Sequence, residues 1–131
     1  MTDKQLVKKA IDAKEFSYSP YSKFRVGAAL LCSDGSVYTG CNIENSAYGP
    51  SNCAERTAIF KAVSEGKRAF KKIAVVLDNE EYASPCGVCR QVMMEFSPNM
   101  EIIMANCNGD FIKKKLKELL PYAFKLWVLF N

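Results

Sequence analysis

The chain contains no histidine. Ser-His-Asp and Cys-His catalysis are thereby excluded, as is every zinc site built on imidazole. Long apolar runs are also missing. The longest nearly unbroken one, Val26 to Cys32, falls far short of the roughly 18 residues that suggest a membrane helix. The first ten residues are interrupted by Asp3, Lys4, Gln5, Lys8 and Lys9, so they lack the apolar core of a signal peptide, and a cytoplasmic location is expected. An excess of one charge is lacking too: the formal +4 favours anionic partners weakly and makes no case for nucleic-acid binding. No internal repeat, linker or low-complexity segment interrupts the chain. With 49% hydrophobic and 24% charged residues, residues 1–131 are expected to form a single domain. A chain this short gains from extra burial between identical subunits.

What is present alternates between helical and strand patterns. Thr2 and Gln5 form a capping-box pair, and Leu6, Val7, Ala10, Ile11 and Lys14 follow at helical spacing. Ser19-Pro20 breaks that helix. Phe24 to Leu31 then alternates as a strand, Asp34-Gly35 signals a hairpin, and Val37 to Ile43 returns as its partner. A hairpin closing on Asp34-Gly35 puts Phe24 near Asn42 and Glu44, whose i, i+2 spacing on a strand gives them one face. A helix is predicted over Cys53 to Glu65 with Gly66 as terminator, and a buried strand over Ile73 to Leu77. Ser84 is expected to cap a helix with Pro85 in its first turn, so that Cys86 and Cys89 open it. Glu101 to Ala105 reads as a strand, Asn108-Gly109 as a turn and Lys113 to Leu120 as a last helix ended by Pro121. The order implies a three-layer α/β/α domain with a mixed sheet of about five strands flanked by helices.

Six cysteines in a chain without export signals point to metal binding or catalysis more than to disulfides. The informative ones stand in Cys53-Ala54-Glu55 and in Pro85-Cys86-Gly87-Val88-Cys89. If the two helix starts meet at the carboxyl ends of strands, three thiolates converge, further stabilised by helix-start amides. Three protein ligands on zinc leave the fourth position for water, the arrangement of a catalytic site. Three thiolates on Zn²⁺ carry a net negative charge that opposes ionising this water, and Arg56 is the candidate cation to offset it. Blander readings stand beside these. Cys86 and Cys89 also fit a redox pair, Glu55 could complete a capping box with Asn52, and Arg56 could be a surface charge. Asn42 and Glu44 could end a strand on its wet face, and Phe24, Tyr48 and Phe124 could be core aromatics. Cys41 could be a fourth ligand of a closed structural site. Lys113 to Lys115 read as the solvated side of the last helix, and Cys32, Cys41 and Cys107 as buried small apolar residues.

The combination is more specific than its parts. Zinc deaminases of nucleobases carry one ligand two residues before a non-ligating glutamate, followed by Pro-Cys-x-x-Cys. The sequence resembles the small, homotetrameric cytidine deaminases over nearly its whole length. The resemblance runs through YSPYSKFRVGAAL from Tyr18, GCNIENSAY from Gly40, CAERTAIFKAVSEG from Cys53, SPCGVCRQV from Ser84 and LLPYAF from Leu119. It implies that Cys53, Cys86 and Cys89 hold one zinc ion per chain and that Glu55 shuttles protons. It also implies that Asn42 and Glu44 bond the ribose, that Phe24 packs on the nucleoside and that Ala54 helps bind it. Arg56 would offset thiolate charge, and Tyr48 and Phe124 would reach a neighbouring subunit's pocket. The implied reaction is hydrolytic deamination of cytidine and deoxycytidine, a step of pyrimidine salvage, without nucleic-acid or membrane partners. A related nucleoside or nucleotide is the alternative substrate, although Glu44 would repel a nearby phosphate. The apolar tail KLWVLFN from Lys125 falls outside the resemblance and is expected at a subunit interface.

Overall fold

Thr2 caps the first helix as predicted: its hydroxyl accepts from the Gln5 amide at 3.1 Å, and the Gln5 side chain accepts from the Thr2 amide at 2.8 Å. Two amides that a helix start leaves without partners are thereby satisfied. Helix α1 runs from Asp3–Lys14 and buries Leu6, Val7 and Ala10 completely or nearly so. Each such aliphatic side chain of Leu or Val size stabilises the fold by about 1.5–3 kcal/mol. The structure, a computed structural model, describes residues 1–130.

The elements that follow are β1 (Val26–Cys32), β2 (Val37–Cys41), α2 (Ala54–Ser64), β3 (Phe70–Leu77), α3 (Gly87–Phe96), β4 (Glu101–Ala105), β5 (Phe111–Lys115) and α4 (Leu116–Leu119), ending in a 3₁₀ turn over Leu126–Phe130. The five strands form one sheet in the order β2-β1-β3-β4-β5. Only β3 and β4 pair in parallel. Strand alternation splits the core in two. Ala29, Leu31, Ala74, Val76 and Ile103 meet α1, whereas Ala28, Leu30, Ile73, Ile102 and Met104 meet α2, α3 and α4. The three-layer α/β/α arrangement with a mixed five-stranded sheet is the one expected from the sequence.

Both faces let a helix rest directly on strand backbone. A Cβ at Gly27 would stand 2.0 Å from the Ala10 carbonyl oxygen of α1, and one at Gly40 would stand 2.5 Å from the Ala54 carbonyl oxygen of α2. Glycine is required at both for steric reasons.

Several boundaries differ from the sequence reading, each for a local reason. Lys113 to Lys115 belong to β5, not to a helix. Their backbone pairs with β4, Lys113 bridges Asp3 at 2.9 Å and Glu101 at 3.5 Å, and only Leu116 to Leu119 turn helical. Lysines on an outermost strand also discourage edge-to-edge association. Strand β1 starts at Val26 and β2 stops at Cys41, so Phe24, Asn42 and Glu44 lie just beyond the paired ends. Ser84 does not cap α3. Arg90 Nη2 donates to the Ser84 hydroxyl at 2.7 Å, and the cap is Cys86, whose sulfur accepts from the Cys89 amide at 3.4 Å. Of the three cysteines expected to be buried, Cys32 is, whereas Cys41 and Cys107 at strand and turn ends are half-buried. No helix among the described residues is long and apolar enough to cross a membrane.

Candidate active site

Strand β1 runs antiparallel to both β2 and β3, so β2 and β3 point the same way and their carboxyl ends share one edge of the domain. The connections from these ends lead into α2 and α3, and ligand sites gather at such places in α/β sheets. Cys53 is the residue capping α2, and Cys86 caps α3. Both therefore stand at helix starts, where the partial positive charge of the helix favours a thiolate.

The two helix openings do meet. The sulfurs of Cys53 and Cys86 are 3.8 Å apart and those of Cys86 and Cys89 3.5 Å, and all three lie within 4.8 Å of one another. Tetrahedral zinc with Zn–S bonds of about 2.3 Å calls for sulfurs about 3.8 Å apart, so the three fit one zinc ion. They are free thiols with no disulfide between them, and a third sulfur only 0.3 Å farther from Cys86 (3.8 against 3.5 Å) does not suit a two-cysteine redox pair. Cys41 is not part of the cluster, which leaves no fourth cysteine for a closed structural site.

Charge is distributed unevenly over the cluster. The Cys53 thiol is lowered to about 5, first by the hydrogen bond from Cys89 and then by Arg56, whose Nη2 lies 3.2 Å from its sulfur. Cys89, buried and facing the Cys53 thiolate, is pushed up instead. Arg56 is thus not a free surface charge. Glu55 is 4% exposed, and burial raises its carboxyl to about 7, with the Cys53 thiolate adding to the shift. It does not close a capping box with Asn52, because Cys53 holds the cap position and the Asn52 side-chain Nδ2 donates to the Thr57 hydroxyl at 3.2 Å.

A cleft of about 380 Å³ lies over this cluster. Its floor includes Cys53, Ala54, Glu55, Arg56 and Cys86, and its opposite wall carries Phe24, Asn42 and Glu44. Asn42 is held on three sides. Its Oδ1 accepts from the Val26 amide at 2.9 Å and from the Ser17 hydroxyl at 2.5 Å, and its Nδ2 donates to the Phe24 carbonyl at 2.7 Å. Glu44 Oε1 accepts from the amides of Tyr21 and Ser22 at 3.0 and 3.2 Å, and Oε2 accepts from the Ser22 hydroxyl. These bonds hold its carboxyl below the ordinary range, the Ser22 hydroxyl most of all.

Phe24 is 40% exposed, so it is a wall residue and not core. Tyr48 and Phe124 line no part of this cleft; they are 79% and 65% exposed and point away from the chain's own interior. Tyr48 also holds a left-handed backbone with φ 62°, an uncommon state for a bulky residue. Three contributors escaped the sequence reading. Ser17 and Ser22 hold the wall that carries Asn42 and Glu44, and Arg90 ties the approach to Cys86 in place through the Pro85 carbonyl at 2.8 Å and the Leu119 carbonyl at 2.6 Å. Ser17 and Ser22 carry no spacing signal because each acts on a residue more than twenty positions away, and Arg90 joins its own approach loop to Leu119, which is equally remote.

An α/β sheet whose strand ends gather three thiols and a buried carboxylate at the base of one cleft has the build of a metal-dependent hydrolase. Residues 1–106 match the family model of the cytidine and deoxycytidylate deaminase zinc-binding region, and the chain belongs to that family of zinc-dependent hydrolases. It is 54% identical over 125 residues to the cytidine deaminase of Sporosarcina psychrophila, covering 95% of this chain and 92% of that one. A second relative, the cytidine deaminase of Halalkalibacterium halodurans, is also 54% identical over 125 residues, with 95% of each chain covered. The crystal structure of cytidine deaminase from Burkholderia pseudomallei superposes with a TM-score of 0.91 at 48% identity, covering 95% of this chain and 100% of that one. Zinc is the metal of this family, and Cys53, Cys86 and Cys89 are placed to hold it.

Proposed function

We propose that the protein deaminates cytidine and deoxycytidine hydrolytically, giving uridine or deoxyuridine and ammonia, as a step of pyrimidine salvage. The observation that carries this reading is the buried carboxyl of Glu55 beside three sulfurs spaced for one zinc ion. Zinc held by Cys53, Cys86 and Cys89 supplies a Lewis acid that makes water a nucleophile near neutral pH. Glu55 takes a proton from the attacking water and delivers it to N3 of the ring, so negative charge does not accumulate there. The C4–O bond forms in this step. Glu55 then carries the second water proton to the exocyclic nitrogen, the C4–N bond breaks, ammonia leaves, and the carboxylate is ready for another cycle. A single carboxyl placed beside the metal ligands and lining the cleft can serve both halves of this transfer. Arg56 offsets the negative charge of three thiolates through its contact with Cys53.

Asn42 and Glu44 read the sugar. Three of the four hydrogen-bonding positions of the Asn42 amide are occupied, leaving one N–H. Glu44 Oε1 is filled by two amides and Oε2 accepts one hydroxyl, leaving one acceptor position. One donor beside one acceptor matches a single hydroxyl group, which supports equal acceptance of ribose and deoxyribose. Phe24 and Ala54 pack on the nucleoside. We assign a homotetramer with shared active sites, supported by the exposed Tyr48, Phe124 and apolar tail, and a cytoplasmic location, supported by six free thiols.

The test is to purify the protein, measure zinc, and follow the ultraviolet change with cytidine, deoxycytidine, cytosine and cytidine monophosphate. Turnover of the two nucleosides with one zinc per chain is expected, and failure with both overturns the reading.

A further inference from the structure

We propose that Ser17 is a positioning residue for nucleoside recognition: its hydroxyl fixes the amide plane of Asn42, so that the one uncommitted N–H of that side chain faces the cleft. The inference rests on the reading of Asn42 as a sugar-binding group. Two of the three bonds that hold Asn42 go to neighbouring backbone groups, the Phe24 carbonyl and the Val26 amide. Both come from one extended segment, and they settle which end of the amide is oxygen. Two anchors on one segment leave the plane free to rock about the line that joins them. A third anchor from elsewhere removes that motion.

Ser17 supplies it at 2.5 Å from a position 25 residues away in sequence. The serine is itself well held. Its amide donates to the Lys14 carbonyl at 3.1 Å at the end of α1, and the next amide, that of Tyr18, donates to the Asn42 carbonyl at 3.0 Å. Lys14 is buried against Asp78 at 3.0 Å, which fixes the helix end to the end of β3. The Ser19 hydroxyl lies 3.1 Å from that of Ser17 and can donate to it, leaving the Ser17 proton for Asn42. Ser17 does not line the cleft, so any influence on substrate passes through Asn42.

Steady-state kinetics of the full-length protein test this with cytidine and with 2′,3′-dideoxycytidine, which lacks the sugar hydroxyls that Asn42 could reach. Ser17→Ala is expected to raise KM for cytidine roughly three- to tenfold, the worth of one hydrogen bond, with kcat held within about twofold. Ser17→Thr, which keeps the hydroxyl, restores the low KM. With 2′,3′-dideoxycytidine the alanine variant and the unchanged protein have the same KM, which a general loss of structure would not produce. If Ser17→Ala does not fold, Ser17→Cys, similar in size but a weak donor, is read in the same way. An unchanged KM for cytidine, or an equal rise on both substrates, overturns the proposal while leaving the deaminase reading intact. Absence of cytidine turnover by the unchanged protein overturns both.

Discussion

On the floor of the cleft the polar groups stand at two helix starts, whereas on the facing wall they hang from backbone amides and carbonyls just beyond the ends of two paired strands. The floor relies on burial and charge: Glu55 is raised to about 7, the Cys53 thiol is lowered to about 5, and Arg56 lies against the sulfur. The wall relies on saturation. Asn42 and Glu44 have nearly every hydrogen-bonding position filled by the protein, and what is left over is what a ligand can use. The floor is therefore read as the place where turnover is set, and the wall as the place where affinity is set.

Substitutions can separate the two. The largest effect is expected from Cys89→Ala, which removes a buried sulfur from the three-ligand set. It should abolish bound zinc and turnover together, checked by metal analysis and by the ultraviolet assay. Glu55→Gln should keep zinc and KM but lower kcat by about two to four orders of magnitude. A normal rate in that variant would remove Glu55 from its assigned role. Asn42→Ala belongs to the wall and should raise KM for cytidine about tenfold or more with a much smaller change in kcat. If kcat fell as far as in Glu55→Gln, the division between floor and wall would fail.

The smallest effect concerns what the wall stands on. Arg25, between Phe24 and Val26, donates to Asp78 at 2.9 Å and to Glu15 at 3.0 Å, and Asp78 also meets Lys14. Arg25 first, and then Lys14, hold the Asp78 carboxyl below its ordinary 3.8. A lowered folded-state value stabilises the ionised form. The contribution is complete above the unfolded value and is lost as pH falls through the folded one. Asp78→Asn should accordingly lower the urea midpoint modestly at pH 7, with the gap to the unchanged protein closing in acid. A gap that widened as pH fell would reverse the sign of this argument.

Legibility in the sequence followed the same division. The floor is readable because Cys-x-Glu and Pro-Cys-x-x-Cys are local spacing patterns, although the cap signal at Ser84 sets the start of α3 two residues too early. The hairpin on Asp34-Gly35 is readable too, and its closure alone puts Phe24 beside Asn42. The anchors of the wall are not. Ser17, Ser22 and, in its bond to Leu119, Arg90 act across long stretches of chain, and nothing in their neighbours distinguishes them from ordinary polar residues. Strand β5 was hidden for another reason. Three consecutive lysines before Leu-Lys-Glu-Leu have helical composition, and only pairing with β4, with Glu101 opposite Lys115 and Ile103 opposite Lys113, makes them a strand. The apolarity of the tail sets it apart in the sequence, and Leu126, Val128 and Leu129 are exposed in the single chain.

Gly40 lies two residues before Asn42 and in direct backbone contact with Ala54, the residue between Cys53 and Glu55. With no side chain interposed, it works as a spacer of fixed thickness between the strand that leads to the wall and the helix that carries the floor. The spacing between that strand and that helix is thus set by backbone against backbone. Attempts to admit a bulkier ring should begin at rim residues such as Phe24, because any insertion at this joint would shift both halves of the reaction chamber at once.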